Sequence, residues 1–271
     1  MSNSPLPPEI LDHIVDDLRD KPKALQDCCL VAKSWIPRTR KHLFANIEFS
    51  SPEKLKSWKK AFPDSSSSPA SYTRTLSVKF PQAVTAADAE EGGWIQTFSR
   101  VVHLDLDTNA TRPNDSEVSL APFHGFSPVL KSLCIFSTLL PHSQIFGFVH
   151  SLPLLEDLSL TVLGMANDGD LDVCGPPAVI PPPSSPPFTG TLWLFLLQGM
   201  KPAARRLLDL PNGLRFRRLT MLCLQEDDHK WINALVAGCS DTLESLKVTC
   251  RLYGAIVWLL RRNRYLNSIS R

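Results

Sequence analysis

Apolar residues in the first 45 positions recur at helical steps. Ile10, Ile14 and Leu18 lie four apart, and Leu11 and Val15 add a second stripe beside them. This pattern predicts a helix that opens on Pro7 and Pro8, where proline fits the first turn, and that carries a wide apolar face. A second short helix is predicted over Ala24 to Val31 and a third from about Trp35 to Leu43, with Pro37 confined to its first turn. A unit this small has little capacity to hold a core alone.

After Phe49 the pattern changes to recurring short strands. Seven segments fit an apolar-x-x-apolar-x-apolar template: TRTLSV, VVHLDL, LKSLCI, LEDLSL, TGTLWL, LTMLCL and LESLKV, with the central leucine at 76, 104, 133, 158, 192, 222 and 246. Two of them carry Thr at the first apolar position. The intervals of 28, 29, 25, 34, 30 and 24 residues overlap the range of leucine-rich repeats and run somewhat beyond it. Helices are predicted between the strands over PEKLKSWKKAF, EEGGWIQTFSR, HSQIFGFVHSL, AARRLLDL, DHKWINALVAG and YGAIVWLLRR.

One strand and one helix per period describes a solenoid. The expected fold is therefore α/β: a three-helix unit over residues 1–49, then a leucine-rich-like domain over 50–271 with parallel strands on its concave face and helices on its convex face. The longest interval holds NDGDLDVCGPPAVIPPPSSPPF, read as a Pro-rich loop inserted at about 166–188, with a ligand for proline-binding modules as the other reading. Leu266 and Ile269 begin an eighth template that stops at Arg271, so the last strand is either a polar cap or a repeat cut short.

Composition narrows the function. With 43% hydrophobic residues the chain suits a sizeable core, and 29 Lys and Arg against 27 Asp and Glu leave only +2, too weak a field to name nucleic acid as the main partner. MSNSPLPPE lacks a signal-peptide pattern, and the apolar runs TLWLFLL and YGAIVWLL are too short to span a membrane. A cytoplasmic or nuclear location without a membrane partner is expected. Seven cysteines, two of them adjacent at Cys28 and Cys29, read as reduced thiols rather than a disulfide framework.

No catalytic constellation emerges, and no cofactor or metal site is expected. HGFSPV lacks the final glycine of a nucleophile elbow, and neither a Walker loop nor GxGxxG occurs. DGDLD departs from a calcium loop at Val173 and Val179. EDDH, residues 226 to 229, reads as an acidic helix start rather than a metal site, and RRNR, residues 261 to 264, as a complement to a helix C-terminus.

The stretch LPPEILDHIVDDLRDKPKALQDCCLVAKSWIPRTRKHLF resembles the F-box family. Leu6, Pro7, Glu9, Ile10, Ile14, Leu18, Leu25, Cys29, Leu30, Val31, Lys33 and Trp35 carry the likeness, with Ala32 where many members have Cys or Ser. An F-box followed by leucine-rich-like repeats resembles the substrate receptors of cullin-based ubiquitin ligases, in the style of the large sets in mushroom-forming fungi. The resemblance implies a non-enzymatic adaptor that docks on the Skp adaptor, and through it on a cullin scaffold, and that holds a target protein on its repeats. Leu6, Pro7, Ile10, Leu30, Val31 and Trp35 are the residues expected at the adaptor contact. A ligase-independent F-box scaffold is the alternative, and a hydrolase with dispersed Ser, His and Asp ranks third.

Side chains alternate along a strand, so if the template leucines face the core, the residues between them line the exposed face. The target-binding residues expected there are Lys79, Asp105, Asp107, Phe136, Thr161, Trp193, Phe195, Gln225 and Lys247, in a surface that also takes in Ser77, His103, Cys134, Asp157, Ser159, Cys223 and Thr249. Phe136, Trp193 and Phe195 stand out, because large aromatics on an exposed sheet are typical binding hot spots. Asp105 and Asp107 share the face and are read as a polar patch that meets a basic target segment.

Overall fold

A computed structural model of the chain describes residues 7–63, 68–79, 84, 94–108, 119–126, 128–137, 140–162, 189–196, 201–209, 213–223, 228–252 and 255–262. Leu6, Gln225, the Pro-rich insertion at 166–188, the DGDLD stretch, Glu226 and Asp227 of EDDH, and the last template from Leu266 lie outside the described residues.

Three helices open the chain: α1 (Pro8–Asp17), α2 (Pro22–Val31) and α3 (Ile36–Leu43), with a 3-10 turn at Lys33–Trp35 before α3. Each α-helix has a proline in its first turn, where the missing N–H costs no helical hydrogen bond. Val15, Leu25, Cys28 and Thr39 are buried between them. The Thr39 hydroxyl lies 2.9 Å from the Trp35 carbonyl and 2.9 Å from Cys29 Sγ, joining α2 to α3. None of the three apolar members belongs to the large core of the sheet, so the helical unit rests on a small core of its own.

After the helices, the described residues build a nine-stranded sheet: β1 (Asn46–Phe49), β2 (Thr75–Val78), β3 (His103–Asp107), β4 (Ser132–Ser137), β5 (Asp157–Val162), β6 (Thr191–Leu196), β7 (Arg218–Cys223), β8 (Ser245–Leu252) and β9 (Ala255–Arg262). Each strand pairs with the next in sequence, β1 to β8 all parallel, so the chain advances in one direction as a repeat array does. One register row stacks Ile47, Leu76, Leu104, Leu133, Leu158, Leu192, Leu219 and Leu246. Helices α4 (Pro52–Ala61), α5 (His142–His150), α6 (Lys201–Leu208) and α7 (Asp228–Gly238) join them. Leu55, Ile145, Val149, Ala203, Leu207 and Leu235 from these helices enter the same buried cluster as the strand leucines. Phe44, Phe49, Trp58, Phe62, Trp94 and Phe98 pack ring to ring and tie the end of α3 to β1 and α4.

The structure departs from the sequence expectations in four places. Residues 46–49, read with the helical unit, form the first strand of the sheet, and Phe44, Ile47 and Phe49 fit the same template. The penultimate parallel strand is shifted by three: Leu219, not Leu222, pairs with Leu192 and Leu246, which makes the last two intervals 27 and 27 residues. Apolar residues at 219, 221, 222 and 224 satisfy either alignment, and buried Phe216 completes the observed one. Of YGAIVWLLRR, read as a helix, the described residues Ala255–Arg262 form a strand that folds back antiparallel on β8, as its β-branched and aromatic run allows, and pairs the edge that β8 would leave open. Within EEGGWIQTFSR, Trp94–Thr97 makes a single 3-10 turn.

Candidate protein-interaction surfaces

The helical unit turns apolar side chains outward. Six large hydrophobic residues are exposed among the described residues, and four of them belong to α1 and α2: Ile10 (46%), Ile14 (40%), Leu30 (87%) and Val31 (68%). Pro7 is also exposed and Trp35 is half-buried. Three of the expected adaptor-contact residues, Ile10, Leu30 and Val31, thus coincide with unpartnered apolar surface. Ile14 was not among the expected contacts, though its step of four from Ile10 places it on the same helix face. Scaling ~1.5–3 kcal/mol per fully buried side chain by the exposed fractions, the four offer ~4–7 kcal/mol to a partner that covers them.

A polar clamp sets the angle at which α1 presents this surface. The Arg38 guanidinium on α3 donates to both carboxylate oxygens of Asp16 on α1, Nε at 2.7 Å from Oδ1, and His42 Nε2 lies 2.7 Å from the same Oδ1. Asp12 stands 3.8 Å from Arg38 Nη1. The hydrogen bond from Arg38, followed by that from His42, holds the Asp16 carboxyl well below the usual carboxylate range. Arg38 and His42 sit four apart on α3, a spacing visible in the sequence, but their acidic partner twenty-odd residues upstream is visible only in the fold.

The second surface is the sheet face turned away from the helices. One row across it reads Glu48, Ser77, Asp105, Cys134, Ser159, Trp193, Thr220 and Lys247. The next row toward the strands' C-terminal ends reads Asp107, Phe136, Thr161, Phe195, Leu222 and Thr249. In these two rows the charges fall at β1 to β3 and β8, while β4 to β7 carry none and hold the large apolar residues. Trp193 is 37% exposed and stacks on Phe195, ring centroids 6.3 Å apart and planes 17° from parallel. Phe136, Phe195 and Leu222 are half-buried.

The charged end is internally linked. Lys79 Nζ lies 2.6 Å from Glu48 Oε1, which raises the lysine's pKa and lowers the glutamate's. Ser77 Oγ donates to Asp105 Oδ2 at 3.2 Å. Burial first, then the Asp105 charge, push the Cys134 thiol up to about 11, so at neutral pH it is a thiol and a poor nucleophile.

Most expected target-binding residues are on this face, with two changes. Thr161 is buried at 4%, flanked in register by Phe136 and Phe195, so it separates the two rings instead of meeting a partner. The three-residue shift of β7 brings Thr220 and Leu222 into the outer-face rows, while Gln225 lies outside the described residues. Leu222 is thereby a surface residue that the sequence template had assigned to the core. Lys247 and Thr249 lie on the outer face of β8, half-buried.

A third feature is an open polar groove of about 490 Å³ at the N-terminal ends of β5 to β8, lined by Asp157, Gly190, Arg217, Arg218 and Glu244 among others. Several of its charges are engaged: Arg217 with Glu244 at 3.7 Å, Glu156 with Lys131 at 2.7 Å, and Asp157 Oδ1 accepting from the Thr191 N–H at 2.7 Å. Among the described residues no group of three or more His, Cys, Asp and Glu side chains is placed to hold a metal ion, and no helix is long and apolar enough to cross a membrane. Comparison of the chain with family models, with curated proteins and with solved structures finds no match.

Proposed function

We propose that the chain is a substrate-recognition adaptor of the F-box class, which docks through its N-terminal helices on the Skp adaptor, and through that on a cullin scaffold, and presents a target protein for ubiquitination. The observation that carries this reading is the exposure of Ile10, Ile14, Leu30 and Val31 on a unit whose buried residues are Val15, Leu25, Cys28 and Thr39. Exposed apolar side chains concentrated on two short helices fit a helix-in-groove contact with a partner's helices. The F-box resemblance names the Skp adaptor as that partner. A sequential parallel sheet with leucines in one register row is what a leucine-rich-like array requires, and its outer face would hold the target.

Affinity purification of the tagged chain with quantitative mass spectrometry tests the proposal, run in parallel on a variant carrying Leu30→Ser and Val31→Ser. The adaptor reading requires near-stoichiometric Skp and cullin with the native chain and their loss with the variant. Recovery of Skp without cullin would point to the ligase-independent scaffold. Absence of both would sink the reading.

A further inference from the structure

The outer sheet face has a polarity that runs along the array, and this constrains the chemistry of what binds it. At β1 to β3 the outward carboxylates among the described residues are Glu48, Asp105 and Asp107, with Lys79 bonded to Glu48 and its charge also felt by Asp105 and Asp107. At β4 to β7 the outward rows carry the large apolar residues Phe136, Trp193, Phe195 and Leu222 among small hydroxyl and thiol side chains, with the stacked Trp193 and Phe195 at the centre. We infer that this face binds an extended target segment that carries a basic residue for Asp105 and Asp107 and, about four residues away, a bulky apolar residue for the Trp193, Phe195 and Leu222 patch. The inference rests on the adaptor reading and specifies the substrate class of that same surface.

The spacing follows from sheet geometry. Asp107 on β3 and Phe195 on β6 belong to one register row, three strand intervals apart. At about 4.8 Å per interval they are roughly 14 Å apart, which an extended chain crossing the strands covers in about four residues at roughly 3.3 Å each. Charge chooses the polarity of the segment: acidic ends repel an acidic segment and neutralise a basic one. The apolar patch supplies the affinity, since Trp193, already stacked on a half-buried Phe195, loses little rotamer freedom on contact.

A random twelve-residue peptide library displayed on its own mRNA, selected against the purified full chain, reads this directly. Enriched peptides should carry Lys or Arg three to five positions from Phe, Trp, Leu or Met. Their binding, measured by fluorescence anisotropy, should fall at least tenfold on Asp105→Asn with Asp107→Asn, and at least tenfold on Trp193→Ala with Phe195→Ala, in proteins whose melting curves show them folded. Peptides without the basic and apolar pairing, indifference to the asparagine variant, no enrichment, or self-association of the chain through this face would each overturn the inference. Skp binding by the same proteins keeps the two readings apart: its loss with peptide selectivity intact fails the adaptor reading alone, and the reverse fails this inference alone.

Discussion

Leu219 and Leu222 lie three residues apart on β7, and the register of the sheet sends them to opposite faces. Leu219 is 1% exposed, stacked between Leu192 and Leu246, while Leu222 is half-buried beside Phe195. Replacing a fully buried leucine by alanine costs about 2–5 kcal/mol, the transfer term plus the cavity left behind. The outward leucine leaves no enclosed cavity and loses about half of a transfer term, about 1 kcal/mol. At roughly 2–4 °C per kcal/mol for a chain of this size, Leu219→Ala should lower the melting temperature by about 5–20 °C and Leu222→Ala by about 2–4 °C. Differential scanning calorimetry of the two variants beside the native chain decides it. Equal losses, or a larger loss for Leu222→Ala, would refute the register and restore the alignment centred on Leu222.

Three other perturbations test separate parts of the account. Asp16→Asn should loosen α1 from α3, seen as faster amide exchange in α1 at pH 7. Because the folded Asp16 carboxyl is held below its unfolded value of about 3.9, the clamp's contribution is present above that pH and lost as pH falls toward the folded value, so native and variant should converge under strong acid. Gly190→Ala would place a Cβ 2.5 Å from Asp157 Oδ1 and 2.6 Å from the Glu156 carbonyl, which is itself held by the Gly190 N–H; a loss of about 1–3 kcal/mol in denaturant unfolding is expected. Cys134, with its thiol pushed up to about 11, should resist iodoacetamide at pH 8 in the folded chain and react on unfolding, as peptide mapping would show.

The periodic parts of the chain were the legible parts. Leucines at a near-constant interval identified β2 to β6 and β8, because a strand buried on one face repeats its apolar positions. The ambiguity entered where apolar residues were too many: β7 has them at 219, 221, 222 and 224, and local pattern alone cannot choose between two registers that differ by three. YGAIVWLLRR failed for a related reason, since an apolar run without polar interruption fits a helix or a strand, and here pairing with β8 decided. β1 escaped because its four residues follow directly on α3 and its partner, β2, is needed to make it a strand. The outer face was legible from alternation as far as the register was right. What alternation cannot show is depth: Thr161 points outward like its neighbours and is buried all the same, between two rings on the adjoining strands. The Asp16 clamp was not legible, since charged pairs across a fold carry no periodicity.

Docking through the first two helices is tested most directly by calorimetric titration of the purified chain with the Skp adaptor. Leu30 and Val31 are 87% and 68% exposed, so covering both contributes ~2–5 kcal/mol, or roughly thirtyfold to several thousandfold in Kd. The account predicts a one-to-one complex, weakened by at least about thirtyfold when both residues become serine, with an unchanged melting temperature for the free chain. No measurable complex, or a variant that binds as tightly as the native chain, would contradict it.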